Sequence, residues 1–359
     1  MDLRNWMYDR GLLRSHSLGV RTISIGNLTT GGTGKTPLVA LAADILAESG
    51  ERVCVLTRGY RRANEKERVL VSNGESVLAD AATGGDEPVE LARKLIGKAV
   101  VIADADRVGA ARWAKERFGI TAFVLDDGFQ HRRAKRDIDI VCVDAMKPLN
   151  GMLPVGTLRE PPKGLRRANA VVITRADLVK SIEDLESRIS DLRSQIANQA
   201  PEALIFSSEN EIASISSLDE YGLGLNSARA NDLDQPWARL AADVQPGEFD
   251  DKVRVFAFCG IGNPESFFLL LNKQFHNPEI GVFDLSLRKA FPDHHSYSQM
   301  EIDELCKWAD EYGIDVFLTT AKDAGKLRDL KFEIPCYVVE IEPRIDRPQD
   351  FQRLITFSS

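Results

Sequence analysis

A short stretch near the start of the chain has the residue types and spacing that suit phosphate chemistry. Residues 23–37 read Ile-Ser-Ile-Gly-Asn-Leu-Thr-Thr-Gly-Gly-Thr-Gly-Lys-Thr-Pro, so a glycine-rich turn joins an apolar run to a helix-like segment. Because glycine has no side chain, backbone N–H groups of such a turn can approach a polyphosphate closely. This order is typical of a P-loop. The predicted nucleotide-binding residues are Gly31, Gly32, Thr33, Gly34, Lys35 and Thr36.

Two of these residues have a more specific predicted role. The Lys35 side chain is long enough to reach the β- and γ-phosphates, and the Thr36 hydroxyl can ligate Mg²⁺. The start of the following helix adds a partial positive charge. Thr29 departs from the general P-loop pattern, which has glycine at this position.

Carboxylates follow two apolar runs further along the chain. Asp126 and Asp127 come after residues 122–125, where an acidic pair can hold Mg²⁺ directly or through water. The alternative is an ordinary Asp-Asp-Gly turn. Asp106 follows residues 99–103 and precedes a helix-like segment. It is therefore either an N-cap residue or a general base for an attacking hydroxyl.

Basic and histidine-containing groups suggest further binding residues. Arg58 follows the apolar run 53–57, and Arg159 with Glu160 stands in a loop rich in glycine and proline. Both arginines could bind phosphate or an anionic head group, and the alternative is a solvated loop. His294 and His295 follow Asp293, where a structural pair and a catalytic histidine are both open interpretations.

Composition excludes several classes of protein. The chain has 359 residues, a net charge of −8 and 43% hydrophobic residues, which argues against a surface that coats nucleic acid. The five cysteines are scattered and form no C-x-x-C motif, so we expect free thiols in a reducing cytoplasm. The sequence contains no run of 18 apolar residues, so we predict no membrane-spanning helix.

Apolar runs alternate with helical stretches over the first half of the chain. The predicted strands are 22–25, 53–57, 99–103, 122–125, 138–143 and 170–174, and helices are expected at 37–49, 87–95 and 107–118. The runs contain few alternating polar residues, as in strands that are covered on both faces. The predicted fold class is α/β: a P-loop NTPase with a doubly wound, mostly parallel sheet, and a second, smaller α/β domain.

The pattern also predicts domain boundaries. Residues 1–20 combine an apolar stripe with arginines, as in an amphipathic helix that lies on an anionic membrane surface or packs on its own domain. Residues 21–206 form the predicted P-loop domain. Residues 207–252, rich in Ser, Asn, Asp and Gly, are expected to be a linker or insertion before a smaller domain at 253–359.

Seven motifs taken together resemble a known family. In order they are Gly26-Asn-Leu-Thr-Thr-Gly-Gly-Thr-Gly-Lys-Thr-Pro, Thr57-Arg-Gly-Tyr, Gly85-Asp-Glu-Pro, Leu125-Asp-Asp-Gly-Phe-Gln-His, Leu158-Arg-Glu-Pro, Phe291-Pro-Asp-His-His and Thr320-Ala-Lys-Asp. The ordered set resembles the tetraacyldisaccharide 4′-kinases, the lipid A 4′-kinases. In Thr320-Ala-Lys-Asp, Ala321 stands where this family usually has Glu.

This resemblance implies a reaction and a location. ATP, with Mg²⁺, would phosphorylate the 4′-hydroxyl of a tetraacylated glucosamine disaccharide 1-phosphate. The enzyme would lie peripherally on the cytoplasmic face of the bacterial inner membrane, with the anionic membrane surface as a partner. The resemblance also favours the interpretation that residues 1–20 lie on a membrane surface. We expect a monomer with no nucleic-acid partner.

The resemblance also assigns roles to residues. It implies that Lys35 and Asp106 are catalytic, with His294 tuning Asp106, that Thr36, Asp126 and Asp127 bind the metal, and that Arg159 and Glu160 lie in the active site. Two other functions remain open. A soluble P-loop ligase or kinase would act on a small acceptor, and a nucleotide-switch ATPase or GTPase would couple hydrolysis to a partner.

Overall fold

The computed structural model describes residues 2–30, 33–60, 62–146, 149, 151–176, 185–222, 236–244, 246, 251–277, 280–293 and 295–357. The chain divides into two compact units. The first comprises Met1–Glu209 and Pro343–Ser359, and the second comprises Asn210–Glu342.

Strands and helices alternate through both units. The strands are β1 Arg21–Asn27, β2 Val53–Thr57, β3 Val69–Ser72, β4 Ala99–Ala103, β5 Ala122–Asp126, β6 Ile138–Asp144, β7 Ala170–Thr174, β8 Leu204–Ser217, β9 Val253–Cys259, β10 Phe283–Ala290, β11 Val316–Thr320 and β12 Cys336–Ile345. The first helices are α1 Asp2–Asp9, α2 Lys35–Glu48, α3 Ala81–Gly84, α4 Asp86–Lys94 and α5 Arg107–Phe118. Later helices are Leu185–Gln199, Leu218–Gly222, Pro236–Asp243, Pro264–Phe275, Gln299–Glu311, Ala321–Leu327 and Pro348–Thr356, and Pro162–Arg167 is a 3₁₀ helix.

The sheet of the first unit confirms the predicted doubly wound architecture. Its strand order is β8-β7-β6-β1-β5-β2-β4-β3. The paired strands run parallel except for β3, which is antiparallel to β4. Because β1 lies between β5 and β6, the loop after β1 and the residues after β5 leave the sheet at the same edge. Ligands of such folds bind at this edge.

Helices cover both faces of this sheet. On one face, α2 buries Leu38, Val39 and Leu46 completely. On the other face, α5 buries small residues such as Ala110 and Ala114. Burial on both faces explains why the strands of this unit are apolar along their whole length, and it confirms the interpretation of those runs.

The second unit also contains parallel strands. Its strand order is β10-β9-β11-β12, and β9 pairs with β10 and β11. The helix Gln299–Glu311 begins with a capping box, in which Ser298 and Glu301 exchange side-chain and backbone hydrogen bonds. The five cysteines of the chain are free and buried, as expected.

Three boundaries differ from the prediction. Residues 207–252 are not simply a linker, because β8 continues to Ser217 and the helix Pro236–Asp243 packs Trp237 and Leu240 into the core of the second unit. The segment Pro343–Ser359 belongs to the first unit and not to the predicted domain 253–359. Helix α1 ends at Asp9, and Gly11 then adopts a φ of 70°, so residues 1–20 are not one helix.

Candidate active site

The P-loop is held in place by hydrogen bonds from two strands. The Asn27 amide at the end of β1 donates to Thr33 Oγ1 over 2.9 Å. The Thr174 hydroxyl at the end of β7 donates to the Thr33 carbonyl over 2.8 Å. Gly34 adopts a φ of 73°, which favours glycine, and α2 begins at the next residue. Gly31 and Gly32 lie outside the described residues.

Lys35 lies at one end of a charged row that has Asp127 at its centre. Its Nζ is 3.6 Å from Asp127 Oδ1, and the Arg159 guanidinium donates to Asp127 Oδ2 over 2.7 Å. The Arg159 backbone N–H is also fixed, since it donates to the Leu28 carbonyl over 2.7 Å. The structure therefore brings three predicted site residues, Lys35, Asp127 and Arg159, together at the carboxyl end of β1 and β5. Thr36 occupies the first turn of α2 beside them.

Asp126 and Asp127 have opposite electrostatic environments. Asp126 is almost fully buried, and burial raises the pKa of its carboxyl group although Thr57 donates a hydrogen bond to it over 3.0 Å. Burial would also raise the pKa of Asp127, but Lys35 and Arg159 outweigh it and hold that pKa below its usual value. Asp127 also has a φ of 48°, an uncommon conformation that clusters at functional sites.

The donor set fits a magnesium ion. Two carboxylates end β5, and the Thr36 hydroxyl lies at the start of α2. Mg²⁺ is usually held by one or two carboxylates together with the phosphates of a substrate. Within the described ranges, no group of three or more His, Cys, Asp or Glu side chains could hold a metal alone. A site completed by a nucleotide agrees with both observations.

The two aspartates predict thermal shifts of opposite sign. At neutral pH the fold disfavours ionised Asp126, so Asp126→Asn should raise Tm by about 2–4 °C, the shift that roughly 1 kcal/mol gives in a domain of this size. The fold favours ionised Asp127, so Asp127→Asn should lower Tm by at least as much. Differential scanning calorimetry at pH 7 measures both variants.

A scan of pH provides the control for this pair. The stabilisation from Asp127 exists above its unfolded pKa and is lost as the pH falls through the lowered folded pKa. The difference in Tm between the wild type and Asp127→Asn should therefore shrink in acid. A Tm that falls equally for both variants at pH 7 contradicts the opposite environments.

Asp106 does not act as a side-chain cap, although it immediately precedes α5. Its side chain makes no capping hydrogen bond, and its Oδ1 lies 3.2 Å from Arg133 Nη1. The side chain is 49% exposed, so a substrate can reach it. Asp104 has the structural role here: its Oδ1 accepts from the Asp106 N–H and its Oδ2 accepts from Arg68. Asp106 therefore occupies the N-cap position of α5, but its carboxylate does not cap the helix.

Arg58 and Glu160 occupy different environments. Arg58 lies on the surface, where its guanidinium covers the Tyr60 ring and donates to the Tyr60 hydroxyl over 3.0 Å. Glu160 is only 1% exposed and receives hydrogen bonds from three side chains. They are Arg167 at 2.8 Å, Gln130 at 2.9 Å and Asn5 at 3.0 Å. Glu160 therefore links the loop after Arg159 to helix α1.

The histidine pair is only partly described, because His294 lies outside the described residues. His295 Nε2 is 2.9 Å from Glu301 Oε1. Its ring stacks on Phe291 with centroids 4.8 Å apart and meets the edge of Tyr297 at 4.9 Å. His295 is thus held by packing and by an acidic partner within the second unit.

Comparison with known proteins assigns the family. The family model for tetraacyldisaccharide-1-P 4′-kinase matches residues 1–358. The chain belongs to this family. A tetraacyldisaccharide 4′-kinase of Syntrophus aciditrophicus is 37% identical, over 98% of this chain and 88% of the relative, and one of Desulfotalea psychrophila is 33% identical, over 99% and 91%. The "apo" form of LpxK from Aquifex aeolicus, solved in complex with ATP, has a TM-score of 0.70 and 29% identity, over 99% of this chain and 93% of that chain.

Family membership confirms several predictions. The chain is an enzyme, an ATP-dependent lipid A 4′-kinase that uses Mg²⁺, and its substrate is a lipid disaccharide phosphate. The P-loop α/β fold class is confirmed as well. The two open alternatives, a ligase or kinase for a small soluble acceptor and a nucleotide switch, are set aside.

Several residues of the site were not predicted. Arg107 is buried and donates to the Asp126 carbonyl over 2.8 Å, which places a cation next to the end of β5. Burial and nearby arginines lower the pKa of His131 to about 4, so this imidazole is neutral at pH 7. Asn27 and His131 belong to motifs that resemble the family, and this membership was the sequence signal that could have identified them. Arg107 carried no signal, because a buried arginine and an exposed one look alike in sequence.

Proposed function

We propose that the described edge of the first unit transfers the γ-phosphoryl group of ATP to the 4′-hydroxyl of a tetraacylated glucosamine disaccharide 1-phosphate. The observation that carries this proposal is the row of Lys35, Asp127 and Arg159 beside the P-loop. The Asp127 carboxylate has a cation next to each of its oxygens. A highly charged nucleotide can therefore bind here without leaving a buried charge unpaired.

The residues have separate roles in this proposal. The P-loop backbone and Lys35 bind and orient the phosphates, and the helix start of α2 adds its partial positive charge. Thr36, Asp126 and Asp127 would hold Mg²⁺, which when bound neutralises charge on the phosphoryl oxygens. Arg159 orients Asp127. Asp106 accepts the proton of the acceptor hydroxyl, and His294 tunes that carboxylate.

The acceptor side of the site is basic and partly apolar. A cleft of about 370 Å³ lies between α1 and the 3₁₀ helix Pro162–Arg167. Leu3 and Trp6 line it on one side, and Lys163 and Arg166 contribute cations. Glu160, next to Arg159, also lines it. An anionic head group with acyl chains suits this mixture of surfaces. Arg159 and Arg58 are further proposed substrate-binding residues outside the lining of this cleft.

Helix α1 supports a peripheral position on a membrane. The Arg132 guanidinium donates to the Asn5 carbonyl and to Asp9, so this helix is fixed to its own unit. At the same time Leu3 is 72% exposed and Trp6 is 49% exposed. Among the described residues, no helix combines the length and apolarity needed to cross a bilayer. The proposed location is the cytoplasmic face of the bacterial inner membrane. The proposed oligomeric state is a monomer.

Membrane binding should depend on the exposed apolar residues of α1. We expect Leu3→Ser with Trp6→Ser to weaken binding to vesicles containing phosphatidylglycerol at least about 10-fold, because each side chain loses apolar burial. Flotation of the protein with vesicles measures this. Leu78→Ser, at another exposed leucine of the first unit, is the matched control and should bind normally. Equal binding of all three proteins contradicts the surface role of α1.

One assay tests the proposed reaction directly. Purified protein is incubated with ATP, Mg²⁺ and the disaccharide 1-phosphate in detergent, and the lipid is analysed by mass spectrometry. The expected product is heavier by one phosphate, with the new group at the 4′ position. Phosphorylation of soluble sugars alone, with no change in the lipid, contradicts the proposal.

A further inference from the structure

A short loop before the 3₁₀ helix Pro162–Arg167 exposes apolar side chains beside the candidate site. Residues 151–156 read Gly-Met-Leu-Pro-Val-Gly, so this run contains no polar side chain. Met152 and Leu153 are exposed, and Val155 is 96% exposed. The site described above uses none of these side chains. Because a cluster of exposed large apolar residues usually marks an interaction surface, this loop needs a partner that covers it.

Backbone hydrogen bonds hold this loop in a closed turn. The Gly156 N–H donates to the Met152 carbonyl over 2.8 Å, and the Leu153 N–H donates to the Leu158 carbonyl over 3.0 Å. The Leu158 N–H in turn donates to the Gly151 carbonyl over 3.0 Å. The two glycines lie against each other, since a Cβ on Gly156 would overlap the Gly151 backbone. The apolar side chains are therefore presented by a hydrogen-bonded turn.

The same loop is attached to the P-loop. The Thr30 N–H donates to the Thr157 carbonyl over 2.8 Å, and Thr29 forms a β-bridge with Leu158. The Leu158 side chain is buried, which anchors the base of the loop in the core of the first unit. Val155 is only two residues from Thr157 in sequence. Any surface that covers the exposed turn must therefore lie close to the phosphate-binding loop.

The surroundings of the turn indicate what this surface is. The 3₁₀ helix that follows carries the exposed cations Lys163 and Arg166, and Glu160 joins the loop to helix α1 through Asn5 over 3.0 Å. Apolar side chains next to cations are typical of protein surfaces that bind anionic bilayers. The substrate of this family is a lipid disaccharide phosphate, so the enzyme must meet a lipid surface. These observations favour a bilayer as the partner.

We propose that the loop 151–156 is a second membrane contact, in addition to α1, and that it turns the phosphate-binding edge toward the bilayer. Met152, Leu153 and Val155 insert among the lipid chains of an anionic membrane. Because the loop is bonded to the P-loop, its insertion holds the nucleotide site next to the lipid surface that contains the acceptor. The inference rests on the proposed function, since it assumes that the acceptor is phosphorylated at a membrane.

A fluorescent label at the turn tests the insertion directly. The five native cysteines are buried, so the thiol introduced by Val155→Cys can be labelled with an environment-sensitive dye. Vesicles of phosphatidylethanolamine and phosphatidylglycerol should shift the emission of this dye to shorter wavelength, and lipids with a quencher on the acyl chain should quench it. The same dye on Leu78→Cys, at another exposed site of the first unit, should not respond.

Kinetics then test the consequence for the reaction. Leu153→Ser with Val155→Ser should lower the rate on acceptor embedded in these vesicles by at least about 10-fold, because two apolar side chains no longer insert. The same double variant should keep its rate on acceptor in detergent micelles within about 2-fold of the wild-type rate. Leu78→Ser is the matched control and should behave like the wild type in both assays.

Each alternative outcome overturns the inference in a recognisable way. A label at position 155 that does not respond to vesicles shows that the turn stays in water. A raised KM for the lipid in detergent, together with normal vesicle binding, assigns the turn to the acyl chains of the acceptor instead of the bilayer. Failure of the proposed function is distinguishable, because the wild-type protein would then form no phosphorylated lipid even in detergent.

Discussion

Replacing Lys35 by alanine is expected to lower kcat for lipid phosphorylation at least about 100-fold, the effect of removing one preorganised charge from a transition state. Lys35 is 3.6 Å from Asp127 and, together with Arg159, holds the pKa of that carboxyl group below its usual value. Without it, charge developing on the phosphoryl oxygens would face two carboxylates and no neighbouring ammonium. The rate of label transfer from γ-labelled ATP to lipid measures the loss.

Two controls make the Lys35 result specific. Lys66→Ala changes an exposed lysine of the same unit and should leave kcat unchanged. Lys35→Ala combined with Asp127→Asn removes both charges of the pair, so it tests whether the loss comes from the unpaired carboxylate. Full recovery in the double variant would mean that Lys35 only neutralises Asp127 and does not act on the phosphates.

The second large effect is expected for the proposed base. Asp106→Asn keeps the size of the side chain and removes the proton acceptor, so kcat and kcat/KM should both fall by at least about 100-fold. The Asp106 side chain is half exposed and paired only with Arg133 in the contacts described above. The variant should therefore fold normally, and its Tm should stay close to that of the wild type.

Another carboxylate serves as the comparison for this experiment. Asp86 is the first residue of α4. The preceding Gly85 lies close to the loop after β2, because a Cβ on Gly85 would be 3.4 Å from the Tyr60 carbonyl oxygen. Asp86 is a half-buried carboxylate near the same edge of the sheet. Asp86→Asn should be measured in parallel. A normal rate for Asp106→Asn with a large loss for Asp86→Asn would transfer the base role to Asp86.

The sequence predicts the parts of the fold that repeat a simple physical pattern. Strands β1, β2, β4, β5, β6 and β7 are apolar along their length because both faces are covered, and their positions were predicted to within about two residues. Strand β8 was missed because the five consecutive polar residues 207–211 interrupt it, and such a run looks like a loop in sequence.

The sequence singles out residues of the candidate site but does not predict their pairings. Lys35, Asp127 and Arg159 follow three different elements, and only the order of strands in the sheet brings them together. Asp106 had two interpretations in the sequence, and only the structure shows that it occupies the N-cap position without a capping hydrogen bond from its side chain. The hydrogen bond between Glu160 and Asn5 joins residues 155 positions apart in the sequence, so no local pattern predicts it.

The way in which the chain leaves and re-enters the first unit has a consequence for synthesis on the ribosome. Ile345, Phe351 and Ile355 belong to the core of the first unit, where Phe351 meets the edge of Phe206 with ring centroids 5.4 Å apart. More than a hundred residues of the second unit are translated between these two aromatic rings. The first unit therefore cannot complete its core until the inserted unit has been synthesised. We expect a chain truncated before residue 343 to contain an incompletely packed first unit.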